Sequence, residues 1–177
     1  MKIKGFTLIE LLIATAIFSI VTGGGIASYN QFNQREKLKA AALEVKTYLR
    51  KAQTNAMAGV KDDSPAGCAG QPLDGWCVDL FRGYTYGHCG GLASPATVDF
   101  SVEEFSLPDG INLTFHNPAD GSLDMQRSIL LFKPLAKGVD QESIICLSST
   151  AFGVNYQYKI SITVSGEITD HGFVSCP

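Results

Sequence analysis

Between Leu11 and Gln34 the chain carries no charged residue, a run of 24 positions. As a helix at 1.5 Å per residue, such a run is roughly 36 Å long, more than a hydrocarbon core of about 30 Å. This constrains the chain more than its averages do. Its 177 residues are 45% hydrophobic and 18% charged, values of a globular protein and not of a disordered, collagenous or coiled-coil chain. The length suits one domain and falls short of a typical barrel enzyme. The apolar residues, however, are concentrated at the N-terminus.

Charge is divided as well. Residues 35–51 hold six basic and two acidic residues, whereas residues 62–177 hold five basic and fourteen acidic. The chain is therefore a basic stalk of +4 on an acidic head of -9, within a total of -3. A general nucleic-acid binder shows a basic excess, so nucleic acid is not an expected partner.

Three readings compete for the N-terminus. Lys2 and Lys4 supply the basic start of a secretory signal, and Ala14-Thr15-Ala16 offers a small-x-small cleavage site. Apolar sequence runs on through Val21, so a cut there would discard half the span. A lipoprotein signal needs an early cysteine, and the first is Cys68. A plain signal anchor would leave the N-terminus in the cytoplasm, but it does not explain Glu10. A carboxylate at the centre of a span costs about 2.5–3.5 kcal/mol, and less near an end. Either Glu10 snorkels to the headgroups, or it has a cationic partner.

The segment Lys4-Gly5-Phe6-Thr7-Leu8-Ile9-Glu10 closely resembles the cleavage and methylation motif of type IV prepilins and pseudopilins. The match covers the basic leader, the glycine before the cut, the phenylalanine after it and the glutamate five residues into the mature chain. The resemblance implies that prepilin peptidase cuts between Gly5 and Phe6, that the Phe6 amine is N-methylated, and that Glu10 pairs with the Phe6 amine of a neighbouring subunit during assembly. Carboxylate and ammonium would then offset each other's desolvation, and removing one would strand the other.

Past the span, Leu38, Ala41, Ala42, Val45, Leu49, Ala52 and Ala56 follow the spacing of an amphipathic helix. Arg35, Lys37, Lys39, Lys46 and Lys51 take the other faces, where they meet solvent, lipid phosphates or acidic neighbours. The spacing predicts one helix from about Thr7 to Ala58, roughly 78 Å long, ending at a Gly59 cap. Gly23-Gly24-Gly25 interrupts it and reads either as a hinge, at up to about 1 kcal/mol per glycine, or as a site of close helix packing.

Residues 59–100 hold eight of the eighteen glycines and three of the seven prolines, which predicts loops with short strands, such as Trp76–Phe81. Val98–Phe105, Ile111–His116, Ile129–Lys133, Ser143–Ser149 and Val154–Val164 read as further strands. Tyr156, Tyr158, Ile160, Ile162 and Val164 would line one face. The expected class is α+β: a leader (1–5), a transmembrane assembly helix (6–34), its amphipathic continuation (35–58) and a β-rich extracytoplasmic head (59–177) with antiparallel sheet packed on the helix, a pilin-like arrangement. The head also resembles, more loosely, the H-type pseudopilins and minor pilins (GspH/FimT-like), through 49–56, Leu107-Pro108-Asp109-Gly110-Ile111, Phe132-Lys133-Pro134 with Gly138, and 160–166. Some members bind DNA through a basic C-terminal segment; here Glu167 and Asp170 stand in that region.

Five cysteines, Cys68, Cys77, Cys89, Cys146 and Cys176, allow fifteen arrangements of two bridges and one free thiol. Cys146–Cys176 is the preferred pair, since it would tie the C-terminus to the sheet, and two of the other three would staple the glycine-rich loop. A zinc site of those three with His88 is disfavoured by the lack of a C-x-x-C pair. Asn117, Asp120 and Asp124 suit a turn better than a calcium loop. His88, His116 and His171 are scattered, and no nucleophile elbow is present. No cofactor, metal or enzymatic activity is expected.

These readings converge on a minor pilin or pseudopilin of a type II secretion pseudopilus or a type IV pilus. It would be a single-pass protein of the bacterial inner membrane with its head in the periplasm or outside the cell. Expected partners are other pilin subunits, prepilin peptidase and the inner-membrane assembly platform. The alternative is a membrane-anchored extracytoplasmic binding domain or enzyme that keeps its leader.

Overall fold

The computed structural model describes residues 7–62, 68–90, 98–151 and 154–177, without the side chains at 23–27, 98, 151 and 154. One helix, α1 (Leu8–Ala58), runs for 51 residues and passes through Gly23-Gly24-Gly25 without a break. Its C-terminus is closed by Gly59 at φ 64°, a left-handed conformation that costs glycine little.

Among the described residues eight strands follow: β1 (Leu73–Asp79), β2 (Tyr84–Cys89), β3 (Val98–Glu104), β4 (Asn112–His116), β5 (Ile129–Phe132), β6 (Ser143–Ala151), β7 (Val154–Ile162) and β8 (Ile168–Gly172). They form two four-stranded antiparallel sheets, ordered β3-β2-β1-β5 and β4-β6-β7-β8. Both pack on the second half of α1. Leu38, Ala41, Ala42, Val45, Leu49, Ala52 and Ala56 are all buried, against Trp76, Val78 and Phe132 of the first sheet and Ile145, Leu147, Ile160 and Ile162 of the second. Alanines in the stripe let the sheets approach closely, and the leucines fill the space between them.

Two strands are unanticipated by the hydropathy pattern. β2 carries Gly87, whose missing side chain is the space in which the Phe100 ring lies; a Cβ there would stand 2.1 Å from that ring. β8, Ile168-Thr169-Asp170-His171-Gly172, is short and polar, and is held by β7. The expected face of β7 holds for Tyr158, Ile160 and Ile162, which are buried, while Tyr156 is half-buried. Val164 departs from it: the strand ends at Ile162, and Val164 is exposed in the turn that follows.

The corner where helix and sheets meet depends on backbone proximity. Gly138 lies against the Val164 carbonyl, so that an added Cβ would be 2.0 Å from that oxygen. Gln53 Nε2 donates to the Gly166 carbonyl at 2.7 Å, joining α1 to the same turn.

Candidate functional site

Gly5 and Phe6, the expected processing positions, lie outside the described residues. Glu10 is described. Thr7 is the N-cap of α1, and its hydroxyl accepts the Glu10 N–H at 3.3 Å. Glu10 Oε2 in turn accepts from the Thr7 N–H at 3.0 Å and the Thr7 hydroxyl at 2.8 Å. This reciprocal arrangement satisfies helix-start donors that would otherwise lack partners. Its signature in the sequence is Thr-x-x-Glu before an apolar run. The carboxylate thus has neutral hydrogen-bond donors within its own chain and no cation beside it among the described residues.

The helix surface behind Glu10 is uncovered. Leu8, Ile9, Leu11, Leu12, Ile13, Ile17, Phe18, Ile20 and Val21 are exposed and lie all round the helix. A helix with no polar face has no side suited to water. Its hydroxyls are satisfied internally: Thr15 donates to the Leu12 carbonyl at 3.0 Å, Ser19 to Thr15 at 2.8 Å and Thr22 to Phe18 at 2.7 Å. Such back-bonding lets polar side chains sit in an apolar medium. As for the expected span itself, among the described residues no helix is long and apolar enough to cross a membrane.

Beyond residue 34 the helix is clamped to the head. Arg35 lies over the Phe173 ring at 4.4 Å from its centroid. Lys46 donates to Asp170 at 2.9 Å, and Lys51 pairs with Glu103. Tyr48 stacks on Phe105 with centroids 4.4 Å apart. Burial works against the Asp170 carboxylate, but the Lys46 ammonium, the Tyr158 hydroxyl and the Gly172 N–H together hold its pKa below the ordinary value. Burial first, and then that same carboxylate, push the Tyr158 hydroxyl up to about 12. Asp170 thus serves the helix–head junction, in the segment where a basic patch would be needed for DNA. These long-range contacts left no signal in the sequence, because their partners are more than fifty residues apart.

The cysteines divide into two bridges and one thiol. Cys146 is bonded to Cys176 and Cys68 to Cys89, so the tail is tied to β6 and the loop after α1 to β2. Cys77, a candidate for the loop bridge, is not part of it: it is a free thiol, buried on β1. Burial pushes it up to about 12, with Tyr86 beside it. Two of the three cysteines needed for a zinc site are therefore in a disulfide, and His88 Nδ1 lies instead at 2.6 Å from Asp99.

Asn117, Asp120 and Asp124 do not converge on a cation. Their side-chain oxygens accept backbone N–H groups from Ala119, Ser122 and Gln126, which makes each a turn or cap. Backbone and hydroxyl bonds from Ser122 hold the Asp120 pKa below its ordinary value. His116 is engaged with the Gly121 carbonyl at 3.0 Å and His171 with the Ser161 hydroxyl at 2.8 Å, so the three histidines belong to separate local networks. Among the described residues no cluster of histidine, cysteine and acidic side chains is placed to hold a metal.

Against this geometry stands one finding from comparison with known proteins. Residues 1–26 match the family model described as the prokaryotic N-terminal methylation motif, which supports a pilin-like relationship and, with it, assembly with other pilin subunits. No curated protein matches the chain. No solved structure matches it.

Proposed function

We propose that this chain is a structural subunit, a minor pilin or pseudopilin, of a type II secretion pseudopilus or a type IV pilus. The observation that carries the reading is the methylation motif at residues 1–26 standing at the head of one helix whose beginning is uncovered and whose end is the core of a β head. On this reading prepilin peptidase removes the first five residues, cutting between Gly5 and Phe6. The Phe6 amine is methylated, and Glu10 exchanges its capping contacts for the amine of a neighbouring subunit. The helix anchors the subunit once in the inner membrane, with the head outside the cytoplasm, until the assembly platform draws it into a filament. The uncharged run Leu11–Gln34 and the back-bonded hydroxyls support the membrane placement. Two disulfides support an oxidising compartment for the head.

The protein acts by assembly and not by catalysis; the separate engagement of its three histidines supports that view. Within the class we place it with the H-type (GspH/FimT-like) subunits, supported by the patterns at 49–56 and 160–166, which come together where Gln53 meets Gly166.

Co-expression with an active prepilin peptidase tests the reading. Intact mass should show loss of residues 1–5 and addition of one methyl group. A chain that keeps its leader beside an active peptidase would contradict it. Substituting Gly5 should block maturation; an anchored binding domain or enzyme would be indifferent to that change.

A further inference from the structure

Strand β7 extends beyond its neighbour. Its last pairing with β8 is Lys159 with Gly172, so Val154–Tyr158 have no strand on that side. Gly172, at φ 72°, turns the tail out of the sheet, and the Cys176 N–H then reaches Gln157 Oε1 at 2.9 Å. What remains beside β7 is an open cleft of about 280 Å³, lined by Arg35, Asn155, Tyr156, Gln157, Phe173 and Ser175 among others.

Arg35 is fixed in this cleft without being neutralised. Its guanidinium lies over Phe173, and Phe173 is packed edge-on to Tyr158 with centroids 5.1 Å apart. Stacking fixes the guanidinium plane and leaves its N–H fork free. No carboxylate pairs with Arg35 among the described residues. Asp170 is held by Lys46, and Glu36, the next residue, is about 100° round the helix. Arg35 is also the first charged residue after the uncharged run. Exposed Tyr29 and Phe32 precede it, and exposed Lys39 follows one turn later.

We propose that this cleft binds the phosphate of an anionic phospholipid headgroup, gripped by the Arg35 fork and flanked by the Asn155 and Gln157 amides and the Ser175 hydroxyl. A planar guanidinium matches two phosphate oxygens at once. The aromatic residues below it suit the interface where the helix leaves the hydrocarbon. Such a grip would hold the head close to the bilayer before assembly. The inference rests on the membrane-anchored reading above.

Native mass spectrometry of the full chain, released from micelles doped with phosphatidylglycerol or phosphatidylcholine, tests it. The unaltered chain should retain one phosphatidylglycerol in preference to phosphatidylcholine. Arg35→Gln should reduce retention about five-fold, in line with the usual contribution of one basic residue at an anionic surface. Asn155→Leu, which leaves the Arg35–Phe173 stack in place, should reduce it about two-fold, and Lys39→Gln should reduce it less than Arg35→Gln. Equal losses from Arg35→Gln and Lys39→Gln would mean unspecific attraction and overturn the proposal. So would no retention by the unaltered, disulfide-intact chain. Inorganic phosphate, titrated while the Gln157 and Gly172 amides are followed by NMR, should not displace the lipid; displacement would reassign the cleft to a free phosphate. Intact mass in the same samples reports leader removal. An unprocessed chain that still grips lipid breaks the pilin reading alone, and a processed chain that does not grip it breaks this inference alone.

Discussion

The two halves of α1 share a conformation and much of their residue vocabulary, yet they end in opposite surroundings. In the first half Leu8 is 80% exposed, Ile13 53% and Phe18 70%; in the second, Leu38, Val45 and Leu49 are at 0%. The difference lies in pattern. The second half gathers most of its apolar residues in one stripe and gives much of the remaining surface to lysine and arginine, so it can meet a sheet on one side and water on the other. The first half is apolar all round and has no such division. Burial is thus decided by what each surface can be paired with: the head covers the stripe and leaves the first half bare.

Substitutions that treat the halves alike should have unlike effects. Leu49→Ala removes a side chain between the two sheets and should destabilise the head by about 2–5 kcal/mol. Ile13→Ala should change the unfolding free energy, read by urea denaturation in both variants, by less than about 0.5 kcal/mol. A comparable loss from both would erase the distinction. Next in size, replacing Cys146 and Cys176 together by alanine frees the tail from β6 and should cost about 2–4 kcal/mol, read in the same denaturation experiment. The first half of α1 should remain as helical as before by circular dichroism.

Asp170→Asn tests the junction itself. It leaves the partly buried Lys46 ammonium without its counter-charge and should cost roughly 1–2 kcal/mol. Acidification of the unaltered chain should act in the same direction. The Asp170 pKa is held below its ordinary 3.8 in the folded state, so its contribution is present above that pH and is lost as pH falls through the folded value. Alkali acts through Cys77. Its thiol keeps its proton in the folded head up to about 12, whereas the unfolded chain loses it near 9.0. The Cys77 contribution should therefore fall as pH rises above 9.0, by at most about 1.4 kcal/mol over the first unit, and Tyr158 adds its own loss as pH passes 10.0. Cys77→Ala should flatten that part of the profile.

The stripe Leu38 to Ala56 was fully legible because helical periodicity is a local property of sequence. Six of the eight strands were legible as runs of β-branched and aromatic residues. β2 and β8 were not, since Gly87 is explained only by the Phe100 ring above it, and β8 is polar and held by its neighbour. The same holds for the site. The motif at Lys4–Glu10 is contiguous and could be read directly, whereas Arg35 on Phe173 and Lys46 on Asp170 join residues that only the fold brings together. Cys77 was indistinguishable from its fellow cysteines until the sheet buried it.

On the proposed reading the first half of α1 serves assembly through the charge on Glu10, while the head folds without it. Glu10→Gln tests this most directly, because glutamine keeps the capping contacts with Thr7 and removes only the charge. The measurement is the amount of this variant in sheared filaments from cells making the partner subunits, set beside the melting temperature of its head. The account predicts an unchanged melting temperature and a chain that is processed but largely missing from the filament. Normal incorporation of Glu10→Gln would contradict it and reduce Glu10 to a helix cap.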